Sequence, residues 1–77
     1  MKLPRDLSGE RLVKILAKLG YVAVRSSGSH VRMVHPGPPR NGVTVPMHGA
    51  LKAGTLNGIL TDVAKHLKID KASILRS

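Results

Sequence analysis

Seventy-seven residues carry thirteen Lys and Arg against four Asp and Glu, a formal net charge of +9, with no cysteine and a single aromatic residue, Tyr21. That length bounds the chain to one domain, residues 1–77, with a thin core and no deep enclosed pocket, so an enzyme on this scaffold works on a large substrate at its surface. The charge favours a polyanionic partner, nucleic acid foremost. The missing cysteines exclude disulfides, thiolate chemistry and Cys-based zinc sites, and one aromatic residue excludes a base-stacking platform of the RRM or OB type.

The opening "MKLPRDLSGERL" has basic residues but no apolar run behind them, unlike a signal peptide. No stretch approaches the ~20 apolar residues of a membrane span, so a cytoplasmic protein without a membrane partner is expected. Ser8 reads as an N-cap, and Leu12, Ile15, Leu16 and Leu19 place one apolar stripe on a helix from about 9 to 19, which Gly20 stops. "YVAVRS" and "HVRMVH" read as strands joined by a two-residue turn at Ser27-Gly28, with Gly28 taking the positive φ that other residues resist. "PGPPRNG" is a rigid polar connector, and "VTVPMH" is a third strand whose Pro46 suits an edge. Gly54-Thr55 opens a second helix with Leu56, Ile59, Leu60, Val63 and Leu67 on one face, and Asp70 caps a last turn carrying Ile74 and Leu75. The order α-β-β-β-α predicts an α+β fold: a three-stranded antiparallel sheet with both helices packed on one face.

Side chains alternate across a strand, so parity assigns each residue to the helix side or the open side. Val31, Met33, Val43, Val45 and Met47 are the natural inward residues, which turns His30, Arg32, Thr44, Pro46 and His48 outward and leaves His35 on the core side. A turn at Ser27-Gly28 sets Arg25 opposite His30, with Val22 and Val24 inward. A connector centred near Pro39 sets His30 opposite His48 and Arg32 opposite Pro46. Arg25, His30, Arg32 and His48 are therefore expected to share the helix-free face as a basic, titratable cluster.

An imidazole exchanges protons near neutrality, and adjacent guanidinium groups favour its neutral, basic form. Arginines clamp phosphate oxygens and stabilise extra negative charge in a phosphoryl transition state. RNA brings its own nucleophile in the 2′-OH, so chain cleavage needs neither a protein nucleophile nor a metal. Residue types alone favour a non-catalytic basic RNA-binding module over a ribonuclease, because an exposed strand histidine is seldom catalytic. A His30/His35/His48 metal site is disfavoured, since parity separates His35 and no carboxylate lies close. His66, late in the second helix, reads as a complement to the helix dipole. Lys52 ahead of Gly54-Thr55 suits a phosphate held at a helix N-terminus, although the same residues start a helix without one.

"RDLSGERLVKILAKLGYVAVRSSGSHVRMVHP", then "VTVPMH", then "LKAGTLNGIL", resembles the HicA family of bacterial mRNA-interferase toxins over nearly the whole chain. Its most specific pieces are Gly28-Ser29-His30, His35-Pro36, Val45-Pro46, and Leu51-Lys52 with Gly54-Thr55-Leu56. The resemblance implies a fold like the double-stranded-RNA-binding domain and an endoribonuclease toxin of a type II toxin–antitoxin system. It implies mRNA as substrate, a HicB-type antitoxin as partner and no cofactor. The family's catalytic histidine, within its Gly-Ser-His motif, falls on His30. Val31 stands where members often carry a further basic or histidine residue, so RNA contacts rest on Arg25, Ser29, Arg32, Lys52 and Thr55. His48 is the candidate for a second acid/base, from register alone, and Gly28 is the structural turn residue. A degenerate toxin that retains only antitoxin binding is the remaining alternative.

Overall fold

The structure is a computed structural model and describes residues 3–77. Helix α1 spans Gly9–Lys18, strands β1, β2 and β3 span Val22–Ser27, His30–His35 and Asn41–Pro46, and helices α2 and α3 span Ala53–Leu67 and Lys71–Leu75. The sheet is antiparallel in the order β1-β2-β3, so β2 is central and β1 and β3 are edges. The expected α-β-β-β-α order and α+β class hold, with the last helical turn forming a short helix of its own.

Local chemistry sets the helix limits. Ser8, in an extended conformation, accepts the Arg11 N–H on its hydroxyl oxygen at 3.0 Å, and Gly20 follows the end of α1 with a φ of +99°. Asp70 caps α3 by accepting the Ser73 N–H at 2.7 Å, which holds its carboxyl below the usual carboxylate range. Helix α2 starts one residue before Gly54, after Lys52, whose side chain caps nothing. Leu12 and Leu16 of α1, Met33, Val43 and Val45 of the sheet, Leu56, Leu60 and Val63 of α2, and Ile74 of α3 join one hydrophobic cluster. Both long helices thus bury their stripes against the same sheet face, and the other face is left open.

The strand registers differ from expectation by two residues next to each turn, and by one residue in β1 beyond Arg25. The first turn is Gly28-Ser29, not Ser27-Gly28: Ser27 lies opposite His30, and Arg25 opposite Arg32 rather than His30. Gly28 has a φ of +55° and Ser29 does not share the positive sign, as a type II′ turn requires. The register then shifts between Ala23 and Arg25, so Val24 is an extra, bulged residue and Ala23 faces Met33. That bulge overturns the inward placement of Val22 and Val24, which are 59% and 54% exposed. In the second hairpin His30 lies opposite Pro46 and Arg32 opposite Thr44, because the strand already includes Asn41 and Gly42. His48 therefore falls beyond β3 instead of opposite His30.

Candidate functional site

His30 is the first residue of β2, exposed on the open face directly after the hairpin turn. Its Nδ1 lies 3.4 Å from the Ser29 hydroxyl, a long contact whose direction depends on the tautomer. With the proton on Nδ1, the ring donates to Ser29 and offers Nε2 as a base; with the hydroxyl donating, Nε2 carries the proton. His30 shares a cleft of about 290 Å³ with Arg25, Ser27, Arg32 and Thr44. A hollow this small and open suits a substrate lying across the surface better than one enclosed within it.

Although His48 has no strand partner, its ring centroid stands 6.4 Å from that of His30 at an interplanar angle of 66°. Backbone contacts hold it there. Ser29 C=O accepts the Met47 N–H, which carries the ladder past Pro46, and His48 C=O accepts the Gly9 N–H at 3.0 Å. A side chain at Gly9 would run into the Pro46 carbonyl oxygen and come within 2.9 Å of the Met47 Cα. The start of α1 can seat against this segment only because that residue is glycine.

Arg32 is held in a defined position. Its Nη1 donates to Thr44 Oγ1 at 3.1 Å, and its guanidinium lies over Gly42, where a Cβ would be 2.5 Å from Nη2 and 2.8 Å from Cζ. Arg25 faces it directly across the β1–β2 ladder. Like charges in that relation destabilise a hairpin, and among the described residues no carboxylate forms an ion pair with either. Among the described residues the one ion pair is Lys14 with Glu10 at 3.7 Å, on α1. Two arginines opposed beside an imidazole, neither of them ion-paired, make a berth for an anion.

Of the residues expected at this face, the structure brings Arg25, Ser29, His30, Arg32 and His48 together. Thr55 lines an adjoining cleft that also contains Arg32 and Thr44, and Lys52 is exposed at the start of α2, lining neither cleft. Gly42, Thr44 and Ser27 join the site without a signal in the sequence that marks them as site residues. Parity turns Thr44 outward, as observed, whereas the expected register sets Arg32 opposite Pro46 and the structure sets it opposite Thr44.

A second cluster lies on the helix side. His35 Nδ1 accepts the Gly37 N–H at 3.1 Å and meets His66 Nε2 at 3.0 Å, while the Tyr21 ring packs against it at a tilt of 57° with ring centroids 5.2 Å apart. His35 is thus a structural residue, as parity requires, and His66 serves as its partner, beyond the dipole role expected of it. The Tyr21 hydroxyl donates to Asn41 Oδ1 at 2.6 Å, and Asn41 Nδ2 donates to Asp62 Oδ1 at 3.1 Å. Burial pushes the Tyr21 hydroxyl up to about 12, and the Asp62 carboxylate adds to the effect. No three His, Cys, Asp or Glu residues among those described are grouped to hold a metal ion.

Residues 9–68, from the first residue of α1 to the left-handed Lys68 that ends α2, match the family model described as HicA toxin of bacterial toxin-antitoxin. The chain belongs to the HicA toxin family. Membership assigns it the toxin role in a bacterial toxin–antitoxin system and, with that, an antitoxin partner. Neither a curated protein nor a solved structure matches it. Helix α3 lies beyond the HicA match, yet its Ile74 is fully buried in the common core. No described helix is long and apolar enough to cross a membrane.

Proposed function

We propose that this HicA-family toxin is a cytoplasmic endoribonuclease that cleaves mRNA by a metal-independent, histidine-dependent route and is restrained by a HicB-type antitoxin. The observation that carries the reading is the juxtaposition of His30 with the opposed, unneutralised Arg25 and Arg32 on the helix-free face. A phosphodiester laid over the two guanidinium groups brings its 2′-OH within reach of the imidazole. His30 accepts the 2′-OH proton, the O2′–P bond forms, and the P–O5′ bond breaks, leaving a 2′,3′-cyclic phosphate. The departing O5′ takes a proton, for which His48 is the nearest second imidazole. Arg25 and Arg32 offset the charge that builds on the non-bridging oxygens. An antitoxin that covers this basic face inhibits by blocking access to it.

The test is to induce the chain and its His30→Ala variant in bacteria and map mRNA 5′ ends. The expected result is growth arrest and new 5′-hydroxyl ends with the parent chain and neither with the variant. Equal cleavage by both would refute the role of His30, and 5′-phosphate ends would refute 2′-OH attack. RNA binding without cleavage by either would leave a binding module on the same face.

A further inference from the structure

The cleft that holds His30 is not isolated. Arg32 and Thr44 also line a second cleft, which crosses the free edge of β3 to the face of α2 bearing Gly54, Thr55, Gly58 and Asp62. The two ends of this groove carry opposite charges that do not meet: Arg32 and Asp62 both line it, and no ion pair joins them. A polyanion-binding protein gains nothing by leaving a carboxylate in the path of its ligand, because that charge repels every phosphate equally. Asn41 donates to one oxygen of this carboxylate, and the other is free to accept from a ligand group that donates a hydrogen bond.

Asp62 is positioned for such a contact. The chain Tyr21–Asn41–Asp62 ties Oδ1 to a buried phenol through bonds of 2.6 and 3.1 Å. Its other oxygen, Oδ2, has no hydrogen-bond partner among the described residues. The floor beside it is bare. A Cβ at Gly54 or Gly58 would meet nothing within 4 Å, so packing does not require glycine at either position. Gly58 nevertheless sits in the interior of α2, where glycine weakens a helix by about 1 kcal/mol relative to alanine. The missing side chains instead leave the helix backbone open to a flat group.

We propose that this groove binds the nucleotide adjoining the scissile phosphate, with its phosphate on Arg32 and a base amino group on the Asp62 carboxylate, so that the toxin selects amino-bearing bases over uracil there. The inference rests on the RNA-cleaving reading for the identity of the ligand. A carboxylate only accepts hydrogen bonds. Adenine, cytosine and guanine each present an exocyclic amino group, as in the pairing of Asp or Glu with cytosine N4. Uracil flanks its one ring N–H with carbonyl oxygens that repel the carboxylate.

The test uses the full chain carrying His30→Ala, so that bound RNA stays intact, and measures fluorescence anisotropy with hexamers of adenylate, cytidylate and uridylate. The adenylate and cytidylate hexamers are expected to bind roughly tenfold tighter than uridylate, the discrimination of one good amino-to-carboxylate contact. Adding Asp62→Ala is expected to bring that ratio close to one. Uniform tightening of all three hexamers by Asp62→Ala would show a merely repulsive charge and overturn the proposal. If Asp62→Ala lowers the melting temperature steeply, Asp62→Asn keeps an acceptor for Asn41 and turns its amide N–H towards the base, so the ratio is expected to fall to one or below, in favour of uridylate. An unchanged ratio, including one accompanied by weaker antitoxin binding, overturns the proposal and in the latter case assigns the groove to the protein partner. Because these measurements involve no cleavage, they stand or fall separately from the catalytic role of His30.

Discussion

Gly42→Ala separates the hold on Arg32 from the stability of the fold. The new Cβ would lie 2.5 Å from Nη2, 2.8 Å from Cζ and 3.0 Å from Nε of Arg32. Carbon and nitrogen need about 3.5 Å, so the guanidinium must move by about 1 Å. That shift stretches its 3.1 Å bond to Thr44 Oγ1 beyond hydrogen-bond range. Losing a solvent-accessible bond of this kind costs the fold about 1 kcal/mol, and a guanidinium no longer held must be ordered on binding, at a cost of about 1 kcal/mol or roughly fivefold in RNA affinity. The obstructing atoms belong to the end of a flexible side chain, so the backbone need not move. Alanine is also better than glycine inside a strand by roughly 0.5–1 kcal/mol. The two effects nearly cancel, so the variant is expected to melt close to the parent temperature while binding a short RNA about fivefold more weakly, measured by thermal unfolding and anisotropy on a His30→Ala background. Unchanged affinity would refute the berth. A melting temperature lowered by several degrees would show that the clash falls on backbone instead.

Gly9→Ala is the opposite case, since its Cβ meets the backbone of Pro46 and Met47. It is expected to cost about 1–3 kcal/mol by urea unfolding and to reduce cleavage by displacing His48; parent-like values in both would refute the seating of α1. Leu60→Ala, at a fully buried position, is expected to lose about 2–5 kcal/mol, and a loss below about 1 kcal/mol would contradict the single-sided core. Tyr21 is the one tyrosine of the chain, so absorbance at alkaline pH reads it alone. With its pKa raised from 10.0 to about 12, the folded state holds the phenolic proton more tightly than the unfolded one. Stability from this group is thus complete below pH 10 and lost as pH rises towards about 12. A titration midpoint near 10 in the folded protein would contradict the burial of that hydroxyl.

Periodicity and capping residues determined the elements without help from packing. A helix stripe, a Ser8 or Asp70 cap and a Gly20 stop act within a few residues, and strand parity needs only a local alternation. The outward aim of His30 and Arg32, and the structural role of His35, follow from parity alone and survive a register shift of two residues. The family resemblance, carried by Gly28-Ser29-His30 and the segments around it, was equally legible because it is a property of the residue order. Register was not legible. A two-residue turn can be centred on Ser27-Gly28 or on Gly28-Ser29 at little difference in local energy, and the bulge at Val24 leaves no local mark in an apolar, β-branched run. Those choices depend on long-range contacts: Gly9 against the end of β3, Tyr21 reaching Asn41, and Ala23 rather than a valine opposite Met33. They decide that Arg25 opposes Arg32, that Thr44 holds the guanidinium, and that His48 reaches His30 from beyond the strand. Residue order alone thus settled which groups face the open side and what chemistry they carry. Only the packing of α1 and α2 against the sheet settled which of them meet, because distances between strands are set by contacts far apart in the chain.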